Sequence, residues 1–187
     1  MGEYIHGLIG GSFSPMHRGH FNLVKFALKE CDVVHLFVSL KGRARTGEVE
    51  VTTEAKRAIW TRFLVPALNS LGVEVTFAEV SPISSIYGFL QSEEKSGAMN
   101  QLNIYSDVDD LAKNYPDARL MRIAPTLMAH HKILKRPVPR GLTAGISGTQ
   151  MRMFLQTGLK DEFIAGLPEI VQDHGDEIWD ILGGEEV

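Results

Sequence analysis

Two histidines stand three residues apart at the end of residues 10–20, which read GGSFSPMHRGH. An imidazole donates hydrogen bonds to phosphoryl oxygens, and the bond is stronger when the ring is charged. The segment that follows, residues 21–30, has the apolar spacing of a helix. Because free N–H groups and the helix dipole favour an anion at a helix start, we expect His17 and His20 to contact one phosphate chain.

The other residues of this stretch shape its backbone. Gly10 and Gly11 are expected to let the chain turn sharply and approach a ligand closely, and Pro15 to stiffen the loop. The stretch matches neither GxxxxGK[ST] nor GxGxxG, which excludes two common phosphate-binding loops. The histidines could supply half of a zinc site, but no neighbouring cysteine or carboxylate completes one.

A second group of polar residues occurs in residues 146–152, which read ISGTQMR. Ser147 and Gln150 have the spacing of a helix capping box, which is a structural role. Thr149 and Arg152 are three residues apart, so on a helix they share one face near the first turn. Together with the N–H groups of the helix start, a hydroxyl and a guanidinium make a receptor for a di- or triphosphate.

These two motifs resemble those of the nucleotidylyltransferase superfamily of the cytidylyltransferase-like type. Its signatures are G-x-F-x-P-x-H-x-G-H and I-S-x-T-x-x-R. The matching positions are Gly11, Phe13, Pro15, His17, Gly19, His20, Ile146, Ser147, Thr149 and Arg152. The stretch FLQTG…FIAGLPEIV is also similar to the family's ending. The resemblance therefore covers most of the chain and is weakest over residues 81–101 and 125–145.

The resemblance implies a Rossmann-like α/β fold of the HUP type and one kind of reaction. A nucleoside triphosphate, with ATP favoured, would transfer its nucleotidyl group to a small phosphorylated acceptor and release pyrophosphate. Nicotinamide mononucleotide is the first expected acceptor, and a cytidylyltransferase that activates a phosphorylated alcohol or sugar is the alternative. Mg²⁺ is the implied cofactor, bound mainly through the triphosphate and with no protein side chain as a ligand. Such chemistry depends on in-line positioning and charge stabilisation.

The resemblance also implies roles for individual residues. His20 would donate to the α-phosphate, His17 would orient the phosphate chain, and the second motif would hold the β- and γ-phosphates. The residues expected to act in catalysis are His17, His20, Lys41 and Arg152. The expected nucleotide-binding residues are Gly10, Gly11, Ser12, Phe13, Gly19, His20, Ile146, Ser147, Thr149 and Arg152.

A basic loop, LKGRART, follows the second predicted strand, and its strand end should face the ligand crevice of a parallel sheet. Family members often have a cation here that bridges the donor and acceptor phosphates, and Lys41 is the choice in this chain. Arg43 and Ser14 are further expected acceptor contacts, although Ser14 stands where many family members carry Asp or Asn. A solvated surface loop is the alternative for Arg43 and Arg45.

Alternating strand and helix patterns must position these residues. Strands are expected over residues 4–9, 33–40, 73–80, 102–106 and 118–124. Helices are expected over residues 21–30, 54–71, 107–114, 148–157 and 169–182, and a helix or a compact loop over 84–94. An extended loop is expected over 125–145 and a frayed tail over 183–187. This order predicts a doubly wound, mainly parallel sheet. The whole chain, 1–187, is expected to form a single domain with short C-terminal helices over about 147–182.

Composition limits the other possibilities. The net charge of −4 argues against broad nucleic-acid binding, and the lone Cys31 excludes an internal disulfide. The chain lacks a membrane-length apolar stretch and a signal-peptide pattern, so a cytoplasmic protein without membrane partners is expected, and a homo-oligomer is compatible with the sequence. Two alternatives from other classes are an aminoacyl-tRNA synthetase fragment, because HRGH is similar to HIGH, and a non-catalytic nucleotide sensor. The chain lacks the KMSKS-like run of a synthetase. Its intact motifs argue against a non-catalytic sensor.

Overall fold

A computed structural model describes residues 4–142 and 145–184, apart from the side chain of Arg140. The chain divides into two compact units, which are described separately. Unit 1 contains Met1–Gly11, Leu23–Ser39 and Gly72–Leu142, and unit 2 contains Ser12–Asn22, Leu40–Leu71 and Thr143–Val187. The expectation of a single domain stays a prediction. In the described part of the chain, no helix has the length and apolar character that a bilayer span requires.

Unit 1 is built on a five-stranded sheet in which all neighbouring strands are parallel. Its strands are β1 (Ile5–Gly11), β2 (Val33–Val38), β3 (Val73–Phe77), β4 (Gln101–Ser106) and β5 (Ile133–Pro137). The strand order is β3-β2-β1-β4-β5, so the direction of winding reverses between β1 and β4. The predicted Rossmann-like, mainly parallel α/β sheet is confirmed. In such sheets, ligands bind at the carboxyl ends of the strands where the order reverses.

Helices cover this sheet because their apolar faces need burial. The helices that lie wholly in unit 1 are α4 (Pro82–Ser96), α5 (Val108–Asn114), α6 (Asp117–Ile123) and α7 (Pro125–Ala129). The core of the unit includes Leu8 of β1, Ile86 and Leu90 of α4, and Leu102 and Ile104 of β4. Asp107 caps α5, because its carboxylate accepts the N–H of Asp110 at 2.8 Å.

Two predictions for unit 1 were wrong. The strand expected over 118–124 is helix α6, since ARLMRI is rich in good helix formers and follows Pro116 and Asp117. The loop expected over 125–145 contains α7, the edge strand β5 and a 3₁₀ turn at Arg140–Leu142, while residues 143–144 lie outside the described part. Pro137 ends β5, and a sheet edge tolerates proline because it needs fewer ladder hydrogen bonds there.

Unit 2 is helical in its described part. Helix α1 (Arg18–Leu28) begins in this unit and continues into unit 1. The other helices are α2 (Thr53–Ile59), α3 (Val65–Asn69), α8 (Gly148–Thr157), α9 (Lys160–Gly166) and α10 (Gly175–Ile181). Buried side chains that include Trp60, Met151, Leu155 and Phe163 fill its interior.

The structure corrects several helix boundaries in unit 2. The helix expected over 54–71 is divided, because a π-helical turn, Trp60–Leu64, joins α2 to α3, and Thr52 caps the start of α2. Helix α9 was not expected, and the helix expected over 169–182 begins with a 3₁₀ turn, Glu169–His174. Helix α8 has the predicted bounds, because Ser147 caps its start and Gly158 adopts a left-handed φ of 74° at its end. Of the tail expected to fray, residues 185–187 lie outside the described part.

Candidate active site

The first two glycines of the GGSFS stretch are part of strand β1 rather than of a turn. Gly10 pairs with Phe37 and Gly11 pairs with Val38. A Cβ atom on Gly10 would lie 2.9 Å from Cβ of Pro82, so glycine is needed there for the close approach of α4. The sharp change in direction comes two residues later, at Phe13, whose φ is 50°. The expectation that Gly10 and Gly11 form the turn is therefore wrong.

Unit 2 begins at Ser12, and the next residues form a buried corner. The Phe13 ring is nearly buried and meets the ring of His20 edge-on, with centroids 4.8 Å apart. The Oγ atoms of Ser12 and Ser14 are 2.8 Å apart, within hydrogen-bonding distance. The Ser14–Pro15 peptide bond is cis. Ser14, an expected acceptor contact, is buried, whereas Ser12 is exposed.

His17 acts as the N-cap of helix α1. Its Nδ1 accepts the N–H of Gly19 at 3.1 Å and the N–H of His20 at 3.4 Å. These are two of the four amides that a helix start leaves without intrahelical partners. The sequence led us to expect free amides for an anion at this position. Instead, the imidazole of His17 already satisfies them, and the anion-binding capacity of this turn resides in the histidine rings.

The two imidazoles stack with centroids 3.7 Å apart and planes 20° from parallel. Nδ1 of His20 accepts the backbone N–H of His17 at 3.2 Å. In a neutral ring whose Nδ1 is an acceptor, the proton is on Nε2, so this hydrogen-bond pattern assigns the Nε2–H tautomer to both residues. Each ring therefore offers an N–H donor at Nε2.

Both histidines are held neutral at physiological pH. Burial, with a smaller contribution from Arg18, lowers the pKa of His17 to about 4. Burial and the neighbouring His17 lower the pKa of His20 well below its usual value. The pair can donate two hydrogen bonds to phosphoryl oxygens without carrying charge. A positive charge for the phosphate chain must therefore come from other residues.

Arg152 supplies such a charge, and its guanidinium connects the two motifs. Its Nη1 donates to the carbonyl oxygen of Ser14 at 2.8 Å, and its Nη2 donates to Oγ1 of Thr149 at 3.3 Å. The side chain is almost completely buried. The structure thus brings Thr149 and Arg152 together, as their spacing predicts. Ser147 caps α8 by accepting the N–H of Gln150 at 3.1 Å, which gives the amide half of the expected capping box.

The motifs also pack directly on one another. A Cβ atom on Gly19 would lie 2.9 Å from Cε1 of His17 and 3.1 Å from Cγ2 of Ile146. Glycine at this position therefore lets Ile146, the first residue of the second motif, pack against the first motif. The sequence-predicted site residues Ser14, His17, Gly19, Ile146 and Arg152 form one arrangement within unit 2.

The basic loop also contributes to this unit. Arg43 and Val51 form an antiparallel bridge, and Nε of Arg43 lies 3.6 Å from a carboxylate oxygen of Glu48. The same Glu48 oxygen accepts from Nε of Arg152 at 3.0 Å. Burial and the charge of Arg43 lower the pKa of Arg152, while Glu48 opposes that shift. The side chain of Lys41 is exposed, and so is that of Arg45.

Comparison with known proteins agrees with this geometry. Residues 8–84 match the model of the family described as cytidylyltransferase-like. Over these residues the chain is similar to that family. The match confirms the resemblance to the nucleotidylyltransferase superfamily and supports a nucleotidyltransferase. No curated protein matches the chain.

One similar solved structure is that of a bifunctional NMN adenylyltransferase/ADP ribose pyrophosphatase from Francisella tularensis. The TM-score is 0.55 at 13% identity, over 97% of this chain and 53% of that one. This chain therefore spans about half the length of that protein. At this level of identity, the likeness shows the fold alone.

The cytidylyltransferase-like segment contains two site residues that sequence reasoning missed, Glu48 and Lys56. Lys56 is almost fully buried, and its Nζ donates to the carbonyl oxygen of Lys41 at 3.1 Å. Lys56 and Trp60 are four residues apart and share the buried face of α2 and the π-helical turn. Helical periodicity could therefore have identified Lys56 as buried. Glu48 carries no such signal, because its contacts depend on how the loop folds.

Metal ligands form no cluster in this segment or elsewhere in the described residues. Across residues 4–142 and 145–184, no three His, Cys, Asp or Glu side chains are arranged to hold a metal ion. The donors of the site are imidazole N–H groups, a hydroxyl and a guanidinium. This set suits a metal that takes its ligands from phosphate oxygens and water, as Mg²⁺ does at nucleotide sites. Binding of Mg²⁺ through the triphosphate remains a prediction.

Proposed function

We propose that the protein transfers the nucleotidyl group of a nucleoside triphosphate to a small phosphorylated acceptor and releases pyrophosphate. The observation that carries this proposal is the meeting of the two motifs in unit 2, where Arg152 donates to both Ser14 and Thr149. Two neutral imidazole donors stack at the start of α1 in the same unit. Neutral donors beside a fixed guanidinium suit a phosphate chain whose charge shifts during transfer.

In the proposed reaction, a phosphate oxygen of the acceptor attacks the α-phosphorus. A new P–O bond forms as the bond from the α-phosphorus to the bridging oxygen breaks, and that electron pair leaves with pyrophosphate. Nε2–H of His20 donates to an α-phosphate oxygen, and His17 orients the chain. Thr149 and Arg152 hold the β- and γ-phosphates. Mg²⁺, bound through the triphosphate, would neutralise charge on the leaving group.

Unit 1 contains a cavity of its own that suits a small ligand. This cavity has a volume of about 210 Å³ and lies at the carboxyl ends of β1 and β4, where the strand order reverses. Its lining residues are Gly10, Gly11, Pro82, Ile83, Asp110 and Tyr115. Parallel α/β sheets bind ligands in this position. Gly11 directly precedes Ser12 of the first motif in the chain.

ATP with nicotinamide mononucleotide is the favoured substrate pair. The similar structure from Francisella tularensis is titled as an NMN adenylyltransferase, and its fold matches almost the whole of this chain. The second candidate is a cytidylyltransferase that acts on a phosphorylated alcohol or sugar. The description of the matching family model favours it.

The test is pyrophosphate release with Mg²⁺ from ATP and from CTP, each against a panel of acceptors. The panel contains nicotinamide mononucleotide, phosphopantetheine, glycerol phosphate and sugar phosphates. We expect turnover with ATP and nicotinamide mononucleotide and a loss of about 10²–10³-fold in the His20→Ala variant. Turnover only with CTP supports the second candidate. Nucleotide binding without turnover indicates a sensor, and the absence of nucleotide binding rejects the proposal.

A further inference from the structure

Lys56 of α2 is a lysine in an environment that disfavours its charge. Its side chain is only 2% exposed. Its Nζ donates to the carbonyl oxygen of Lys41 at 3.1 Å and lies 3.4 Å from Oγ of Ser12. A small cavity of about 10 Å³ beside it is lined almost entirely by apolar side chains, including Phe13 and Trp60.

No carboxylate within residues 4–142 or 145–184 neutralises this ammonium group. Among the described residues no ion pair involves Lys56, and burial alone lowers its pKa to about 8. Taking a charge out of water without a counter-charge opposes folding. An apolar residue of similar length, such as methionine, would suit this position better for stability. The lysine therefore needs a role other than stabilisation of the fold.

The contacts of Lys56 point to that role. Ser12 belongs to the first motif and is exposed, and Lys41 begins the basic loop. The Lys56 ammonium group thus contacts both the first motif and the basic loop, which were each expected to contact phosphates. A hydroxyl has a single proton to donate, so a Ser12 oxygen that accepts from Lys56 must direct its own proton elsewhere. Oγ of Ser14, 2.8 Å away, is the partner present in the structure.

We propose that Lys56 is a positioning residue of the nucleotide site and acts through Ser12, a role that rests on the proposed function. Lys56 donates to Oγ of Ser12, which fixes the hydroxyl so that its proton is available to a phosphate oxygen in place of Ser14. Donation by a charged group also polarises the hydroxyl and strengthens it as a donor. Lys56 itself does not touch the substrate.

Among the described residues, the groups around the Lys56 ammonium are a hydroxyl, a backbone carbonyl and apolar side chains. The first motif presents Ser12 and the ring of Phe13, and the basic loop presents the backbone of Lys41. Val171 and Ile178 are among the apolar residues that line the neighbouring cavity. A change in nucleotide affinity near pH 8 that depends on both Lys56 and Ser12 would report this contact.

The experiment uses the full chain with Lys56→Met, Lys56→Arg and Ser12→Ala, and with Lys113→Met as an exposed lysine control in unit 1. Thermal unfolding and the Kd of Mg-ATP and Mg-CTP are measured from pH 7 to pH 9.5. We expect Lys56→Met to unfold at the same or a higher temperature but to bind nucleotide about tenfold more weakly at pH 7, the effect of losing one charge-assisted hydrogen bond. Lys56→Arg keeps most of the affinity.

The pH profile of nucleotide affinity distinguishes a positioning role of Lys56 from a packing role. Wild-type affinity falls as the pH rises through about 8, and the Lys113→Met variant behaves in the same way. The fall is absent in Lys56→Met and in Ser12→Ala, and the double variant is no weaker than the weaker single variant. The Ser12→Ala profile decides the question even if Lys56→Met does not fold.

Two outcomes overturn the proposal. In the first, Lys56→Met is less stable but binds nucleotide with unchanged affinity and an unchanged pH profile. Lys56 then contributes only to packing. A wild-type protein that binds neither nucleotide overturns the proposed function, and with it the role of Lys56. The second outcome is visible in the wild type alone, so the two failures are distinguishable.

Discussion

Glu48 accepts a hydrogen bond from Nε of Arg152 at 3.0 Å, and the same carboxylate oxygen lies 3.6 Å from Nε of Arg43. A carboxylate between two guanidinium groups stands where the proposed function places a phosphate oxygen. Arg152 is almost completely buried, so its charge needs an anion in the empty protein. A triphosphate that binds at Arg152 must therefore take over this ion pair from Glu48.

Replacing Glu48 by glutamine should affect stability and nucleotide affinity in opposite directions. The variant leaves the buried charge of Arg152 without its counter-charge, which should lower the free energy of unfolding by about 1–3 kcal/mol. It also removes the competitor for the triphosphate, so the Kd of Mg-ATP should fall about three- to tenfold. Urea unfolding and calorimetric titration of the same preparation measure both effects.

Glu50→Gln is the control for this experiment, because Glu50 is an exposed glutamate of the same loop. It changes the net charge equally and should leave both quantities unchanged. Weaker nucleotide binding in Glu48→Gln than in Glu50→Gln would contradict the competition between Glu48 and phosphate.

Capping by His17 can be separated from its proposed role in catalysis. His17→Ala removes the acceptor for the N–H groups of Gly19 and His20 and should cost about 1–2 kcal/mol of stability. Asparagine is among the best N-cap residues, so His17→Asn should retain most of that stability. Both variants lack the Nε2–H donor and should lose about a hundredfold in turnover. Equal instability of the two variants would show that His17 does not cap the helix.

The lowered pKa of His17 also predicts a pH dependence of stability. A histidine whose pKa falls from 6.5 in the unfolded chain to about 4 in the folded protein binds more protons when unfolded. The free energy of unfolding should therefore rise with pH between about 4 and 6.5 and reach its full value above 6.5. His20, whose pKa is also lowered, contributes with the same sign.

Urea unfolding of wild type and His17→Asn at pH 7.5, 6.0 and 5.0 measures this slope. These values lie above the usual pKa of carboxyl groups, so histidines dominate the difference. The wild type should lose more stability than His17→Asn as the pH falls. Parallel pH profiles would show that His17 titrates normally.

Replacement by alanine should change the stability of the protein in opposite directions at two glycines of unit 1. A methyl group on Gly10 would lie 2.9 Å from Cβ of Pro82 and 3.2 Å from Cδ1 of Ile86, so Gly10→Ala should destabilise the protein by about 1–3 kcal/mol. Gly88 lies within α4 with no atom near the position of its missing Cβ. Gly88→Ala should therefore stabilise the protein by about 1 kcal/mol. Denaturant midpoints test the pair, and a neutral Gly10→Ala would show that α4 can move away.

The sequence was sufficient to predict the helices and strands that have strong local signals. Helix α8 could be bounded because Ser147 and Gly158 mark its ends, and the alternation of strands and helices was enough to predict a parallel sheet. Strand β5 was missed because only Ile133 of its five residues is buried. Its Lys135 and Arg136 pair with Asp117 and Glu30, and these partners are distant in sequence.

The two site motifs were recognisable, but their hydrogen bonds were not. Spacing indicated that Thr149 and Arg152 share a helix face. It did not indicate that His17 caps its own helix, because histidine is not among the common N-cap residues. The contact of Glu48 with Arg152 joins residues 104 positions apart and arises only when the loop is folded. The proposed roles of these residues in binding and transfer remain predictions.

The hydrogen bond from Arg152 to Ser14 joins residues 138 positions apart, which has a consequence for synthesis on the ribosome. All five strands of the sheet precede the second motif in sequence, so they are synthesised before Arg152. A nascent chain stalled before residue 146 carries both histidines and the basic loop but lacks their arginine. The Ser14 carbonyl then has no guanidinium to bind, and Glu48 has only that of Arg43. The first motif is therefore translated early, and its phosphate-binding partner joins it only after α8 has emerged.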